Sequence, residues 1–118
     1  ETPDDGGRMK LEHRDCIHHA KGLDPWAIDA LLNDVPGWTA VDGILSREFR
    51  LPDYRATIAF VNAVAQVAET QDHHPEMTVG HASCRVAWST HSAGGALTEN
   101  DFICAAKVNA LYPGMTSA

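Results

Sequence analysis

Seven histidines occur in 118 residues, and they fall in groups: His13, His18 and His19; His73 and His74; His81 and His91. Histidine titrates near neutral pH, so clustered histidines are the first candidates for proton chemistry. The segment Glu69-Thr-Gln-Asp72-His73-His74 is followed by Pro75. Proline disfavours helical geometry at the residue before it, so the two rings are expected to project from a sharp chain exit. Adjacent residues outside a helix point in different directions. That arrangement is poor for a bidentate metal site and good for placing two acid/base groups around one ligand. Glu69 and Asp72 are close enough in sequence to raise a histidine pKa by charge stabilisation. The plainer alternative is a pair of helix-end histidines that only favour the macrodipole.

His91 precedes Ser92-Ala93-Gly94-Gly95 at the end of an expected strand. A strand end beside a glycine loop suits a ligand site, and equally an ordinary surface histidine. His73, His74 and His91 together would supply three imidazoles, as in some catalytic zinc sites, but without a helical i, i+4 ligand pair. His13, Cys16, His18 and His19 form a second cluster, either a metal site or part of a solvated arm. His81 receives no role. Cys84 and Cys104 fall in strand and helix patterns as small buried hydrophobes. The chain has no phosphate-cradling Gly-Lys loop, no dinucleotide fingerprint and no G-x-S-x-G elbow.

The elements that must position these residues follow from local signals. Residues 1–22 lack apolar periodicity and are expected to be a flexible N-terminal tail. Asp24-Pro25 predicts a helix start, the carboxylate accepting orphan N–H groups and the proline needing none. Val35-Pro36-Gly37 ends that helix. Asp42-Gly43 predicts a two-residue hairpin turn, because both residues tolerate positive φ. Leu45, Arg47, Phe49 and Leu51 share one parity of the following strand, the arginine with its stem packed and its head in water. Asp53 is expected to cap a long helix over 54–70, whose apolar stripe is broad enough for burial on more than one side. A second hairpin covers about 77–90. Thr98-Glu99-Asn100-Asp101 is a near capping box that opens a last helix, ended by Tyr112-Pro113-Gly114.

The predicted order αββαββα implies an α+β domain over 23–113: a four-stranded antiparallel sheet with three helices packed on one face, then a short tail, 114–118. Such a sheet leaves two edges open, and a homodimer or homotetramer is expected. The length suits one domain with its own core. A formal net charge of −7 with nine scattered Lys and Arg residues argues against a nucleic-acid partner. No membrane-spanning run and no signal-peptide pattern occur, so a soluble, cytoplasmic protein is the expectation.

Three blocks carry a likeness to a known family. Glu69-Thr-Gln-Asp-His73-His74-Pro75-Glu76, Ser89-Thr90-His91-Ser92-Ala93-Gly94-Gly95 and Leu97-Thr98-Glu99-Asn100-Asp101-Phe102 stand in this order, and together they resemble the pterin-4a-carbinolamine dehydratases. The likeness extends to Gly37-Trp38, the Leu45 to Leu51 strand and Phe60-Val61, spanning about residues 24–112. It implies the same α+β fold, dimers or tetramers, and no metal or organic cofactor. The implied reaction is loss of water from 4a-hydroxytetrahydropterin to give the quinonoid dihydropterin. This recycles the pterin cofactor of aromatic amino acid hydroxylases, notably phenylalanine hydroxylase.

Carried onto this chain, the resemblance implies His73, His74 and His91 as the catalytic set. Glu69, Asp72, Pro75, Thr90, Ser92 and Ala93 would line the pterin pocket. His73 would be the main acid/base group, His74 would orient the pterin and His91 would be the second acid/base partner, with His73 and His91 interchangeable. Glu69 would tune histidine charge and Asp101 would cap the last helix. Met77, His81 and the extra Ala96 depart from the family pattern and bear on pocket shape. The same resemblance admits a non-catalytic scaffold, since the family includes a dimerisation cofactor of a transcription factor and Rubisco assembly factors.

Overall fold

Local chemistry sets the element boundaries. In the computed structural model, which describes residues 10–116, α1 runs Pro25–Leu32, β1 Thr39–Val41, β2 Ile44–Arg50, α2 Tyr54–Gln71, β3 Glu76–Val79, β4 Ser83–Trp88 and α3 Glu99–Thr116. Short 3-10 turns at Leu11–His13 and His91–Ala93 complete the chain. The order is the αββαββα expected for an α+β fold. The strands form one antiparallel sheet in the order β1-β2-β4-β3.

The sheet register separates an apolar face from a polar one. Leu45 pairs with Trp88, Arg47 with Val86 and Phe49 with Cys84. Apart from Arg47 these side chains are buried, and they meet Phe60, Val64 and Ala68 of α2 and Phe102, Ile103, Ala106 and Val108 of α3 in one core. The opposite face shows Glu48, Arg85, Glu76 and Thr78 to solvent. Residues 100–106 of α3 are all buried, so the first half of this helix is enclosed, while Ala110, Pro113 and Gly114 in its second half are exposed.

Two turn and cap expectations hold. Asp42 and Gly43 both adopt positive φ, 52° and 76°, as a tight hairpin requires. The Asp53 carboxylate accepts the Ala56 N–H at 2.8 Å and caps α2. The hairpin tip also touches another loop, for a Cβ added at Gly43 would stand 2.0 Å from the Gly95 carbonyl oxygen.

Other expectations are corrected. Asp24 makes no side-chain cap; its backbone carbonyl accepts from Ala27 and Ile28 instead. The Arg47 head is not free in water. It lies 4.4 Å from the Phe49 ring centroid and donates to Asn109 Oδ1 and the Pro36 carbonyl. α3 does not stop at Tyr112 but continues through Pro113 to Thr116. A proline in a last turn forfeits one hydrogen bond where few remain. Tertiary contacts hold this stretch, since Tyr112 donates to the Arg50 carbonyl and packs edge-on against Phe49 and Phe60.

The expected tail is described only from residue 10. Residues 10–22 lie along α2 and α3 rather than free of them. Leu11 is buried, Lys107 donates to the Glu12 carbonyl, and Arg14 pairs with Glu99. The Cys16 N–H donates to Gln71 Oε1, and Asn100 binds both the N–H and the C=O of Ile17. Side chains of two helices hold this arm, so its own sequence needs no periodicity. Residues 1–9 and 117–118 fall outside the described part. Among the described residues no helix is long and apolar enough to cross a membrane.

Candidate active site

The exit from α2 is a Schellman-type cap. Asp72 sits in the left-handed region at φ 52°, its N–H bonding back to Glu69 O and the His73 N–H reaching Ala68 O at 3.1 Å. Aspartate is one of the few non-glycine residues that enter this region readily. The backbone of His73 is thereby fixed before its side chain makes any contact. Pro75 and β3 follow at once. Because Glu76 pairs with Ala87, the His73-His74 segment and the Thr90 to Ala93 turn lie at the same end of the β3–β4 ladder.

His73 is anchored by a buried carboxylate. Its Nε2 lies 2.7 Å from Asp101 Oδ1, and Asp101 is fully buried. The second carboxylate oxygen accepts from Thr90 Oγ1 at 2.8 Å and from the Thr98 N–H at 2.9 Å. Thr90 and Thr98 share a further hydroxyl–hydroxyl bond of 2.9 Å. The imidazole also stacks on Trp88, with ring centroids 5.4 Å apart and planes 15° apart. The hydrogen bond to Asp101 raises the His73 pKa above the ordinary imidazole value; burial opposes it, and the charges of Asp101, Cys16 and Asp72 add to it. A protonated ring over an indole face gains further from the cation–π attraction. With Nε2 given to Asp101, Nδ1 has no partner among the described residues. It is the nitrogen that can exchange a proton with a ligand.

The other sequence-predicted residues are placed less tightly. His74 bonds Glu69 Oε2 through Nε2 at 2.7 Å, and both side chains are exposed. Glu69 therefore partners His74, not His73. Asp72 is an exposed cap that contributes a smaller charge effect at His73. Pro75 is half-buried in the exit. His91 and Ser92 are exposed in the turn after β4, Ala93 is half-buried, and Gly94 ends that turn at φ 68°. Thr90 is buried and reaches the site through Asp101.

Sequence reasoning gave Asp101 only a capping role and passed over Trp88 and Thr98. The capping contact exists, since Asp101 accepts the Thr98 N–H, but the same carboxylate also binds His73 across 28 residues of sequence. A carboxylate directly before the apolar run Phe102 to Ala106 was the available signal, because such a group needs a donor or a cation if it is buried with that run. His81 stacks on Tyr54 at 6.3 Å, in the β3–β4 turn. Among the described residues no three His, Cys, Asp or Glu side chains converge to hold a metal, whether from the His13, Cys16, His18, His19 group or from the other histidines. A cleft of about 240 Å³ between α1, the β1–β2 turn and residues 95–97 contains none of the histidines.

Comparison with known proteins identifies the family. The family model for pterin 4 alpha carbinolamine dehydratase matches residues 21–111. A protein of Xanthomonas oryzae pv. oryzae, provisionally named a pterin-4-alpha-carbinolamine dehydratase, is 52% identical over 110 residues, 88% of this chain and 92% of its own. A Nitrosospira multiformis protein with the same provisional name is 46% identical over 85 residues, 72% of this chain and 74% of its own. Among solved structures, a transcriptional coactivator/pterin dehydratase from Brucella melitensis superposes with a TM-score of 0.74 at 31% identity, covering 78% of this chain and 99% of that one. A pterin dehydratase-like protein identified as a RuBisCO assembly factor in the alpha-carboxysome gives a TM-score of 0.54 at 22% identity over 81% of this chain and 94% of that one, and so shares the fold. The matched span holds both the histidine pair and Asp101, and the chain belongs to the pterin 4 alpha carbinolamine dehydratase family.

Proposed function

We propose that this chain catalyses dehydration of a 4a-hydroxytetrahydropterin to the quinonoid dihydropterin, by histidine acid/base chemistry that requires no cofactor. The observation that carries the reading is the His73–Asp101 pair. Hydroxide is a poor leaving group, so the 4a-oxygen must be protonated as the C–O bond breaks. A base must take a ring-nitrogen proton at the same time. A partly buried imidazole whose cation is favoured by a buried carboxylate is suited to supply the first proton from Nδ1. His91 at the adjacent turn is the proposed base. His74, held by Glu69, orients the pterin, with Asp72, Pro75, Ser92 and Ala93 around it and Thr90 acting through Asp101. The reading extends to a cytoplasmic homodimer or homotetramer that serves an aromatic amino acid hydroxylase such as phenylalanine hydroxylase. Among the described residues no strand pairs with the outer side of β1 or β3, which supports the oligomer.

The test is a carbinolamine dehydration assay on chelator-treated protein, with His73→Ala and His91→Ala in parallel. Activity is expected to survive chelation and to fall about 10²–10⁴-fold in each variant. Full activity in His73→Ala overturns the role given to that residue. A second reading, a non-catalytic scaffold, is favoured by the double description of the Brucella melitensis structure as coactivator and dehydratase. Wild-type protein without activity decides for the scaffold. A monomer in size-exclusion chromatography overturns the oligomer.

A further inference from the structure

We propose that Cys16 and Cys104 are a dithiol–disulfide couple, a reversible oxidation site that ties the N-terminal arm to α3 beside His73. Their sulfurs lie 3.6 Å apart although the residues are 88 positions apart in sequence. A disulfide needs about 2.05 Å, so the thiols must close by roughly 1.5 Å. Cys104 is fixed in the buried part of α3. Cys16 is half-buried in an irregular arm whose N–H is held by the Gln71 side chain and whose next residue is held by Asn100. Side-chain clamps adjust more readily than a helix or ladder, so the arm supplies the movement.

The two thiols are chemically unequal. The hydrogen bond from Cys104 lowers the Cys16 pKa against its partial burial, with help from the charges of His73 and Lys107. The same contact and burial push the Cys104 thiol up. Cys16 is the half-exposed sulfur of the pair and Cys104 the buried one, so Cys16 is the nucleophile and Cys104 the resolving thiol. Cys16 lines a shallow cleft with Ile17, His18, Gln71 and Asp72, which opens its side to solvent. Cys84 is buried within β4 and makes its sulfur contact with a backbone carbonyl, not a second thiol.

The oxidant is a low-molecular-weight disulfide of the glutathione type. The Cys16 thiolate attacks one of its sulfurs, a mixed disulfide forms, and one glutathione thiolate leaves. Cys104 then gives up its proton and attacks the Cys16 sulfur, forming the protein disulfide and expelling the second glutathione thiolate. Two electrons and two protons pass from the protein thiols to two glutathione molecules. Neither thiol takes part in the proposed dehydration, so this site stands whether or not the chain is a dehydratase.

The experiment incubates the reduced full chain with oxidised glutathione, quenches with acid, and measures free thiols, intact mass and linked peptides. Wild type is expected to remain a single chain on a non-reducing gel, to lose two hydrogens, to keep Cys84 free and to yield a Cys16–Cys104 peptide. Cys104→Ala is expected to stop at the glutathione adduct on Cys16. Cys16→Ser is expected to stay unmodified. Three free thiols in wild type, a link through Cys84 or between chains, or no adduct on Cys104→Ala overturns the proposal.

Discussion

Asp101→Asn isolates the charge that the buried carboxylate holds against His73. The change is isosteric, so it opens no cavity. Asparagine can still accept from the Thr98 N–H and Thr90 hydroxyl with its one oxygen, as Asp101 Oδ2 does at 2.9 and 2.8 Å. Its amide nitrogen then stands where Oδ1 stood, 2.7 Å from His73 Nε2. Two N–H groups cannot bond each other, so His73 must become neutral there and present Nε2 as an acceptor. A charge-assisted bond worth about 1.5–3 kcal/mol gives way to a neutral one worth about 0.5–1.5 kcal/mol, a loss of about 1–2 kcal/mol. The loss depends on pH. Asp101 raises the folded-state pKa of His73, so its stabilisation is complete below the unfolded imidazole value, about 6.5, and disappears as pH rises through the folded value. Urea unfolding of both proteins is expected to show the full gap near about pH 6 and a smaller one near about pH 9. Proton NMR titration is expected to show a lower His73 pKa in the variant, where burial is opposed only by the smaller charge effects of Cys16 and Asp72. A stability gap that is constant or grows with pH, or an unmoved His73 titration, refutes the reasoning.

Gly43→Ala is expected to destabilise by more than about 2 kcal/mol in thermal or urea unfolding, because it combines a positive φ with a backbone clash. Asp72→Gly is expected to stabilise by about 0.5–1 kcal/mol by relieving the left-handed position, while Asp72→Val is expected to cost about 1–2 kcal/mol there. The same Asp72→Gly protein is expected to show a slightly lower His73 pKa by NMR, since one of the charges holding that pKa up is gone.

Elements governed by neighbours in sequence were legible in advance. The Asp42-Gly43 turn, the Asp53 cap and the exit at His73-His74-Pro75 are each decided within about four residues, and the structure places all three as read. Asp24 shows the limit of that logic, for a good capping residue went unused when its backbone carbonyl supplied the first bonds. The features that stayed hidden are long-range. Asp101 reaches His73 from another helix, and the arm at 10–22 is pinned by Gln71, Asn100 and Lys107, none of which carries a local mark of that task. Pro113 reads as a stop in isolation, yet α3 passes through it where Tyr112 is locked into the core. The histidine pair itself was visible; what distinguishes one ring from the other was not. The anchored His73 and the exposed His74 differ only through partners that folding brings to them.

The indole stacked on His73 has a consequence for spectroscopy. Of the three tryptophans, Trp26 faces solvent, Trp38 is bonded to Asn109 in the core, and Trp88 alone lies against a titrating ring. An excited indole transfers an electron to a protonated imidazole far more readily than to a neutral one, so Trp88 emission dims when His73 carries its second proton. The proton occupancy of the site is therefore readable from the protein's own fluorescence, without label, ligand or turnover.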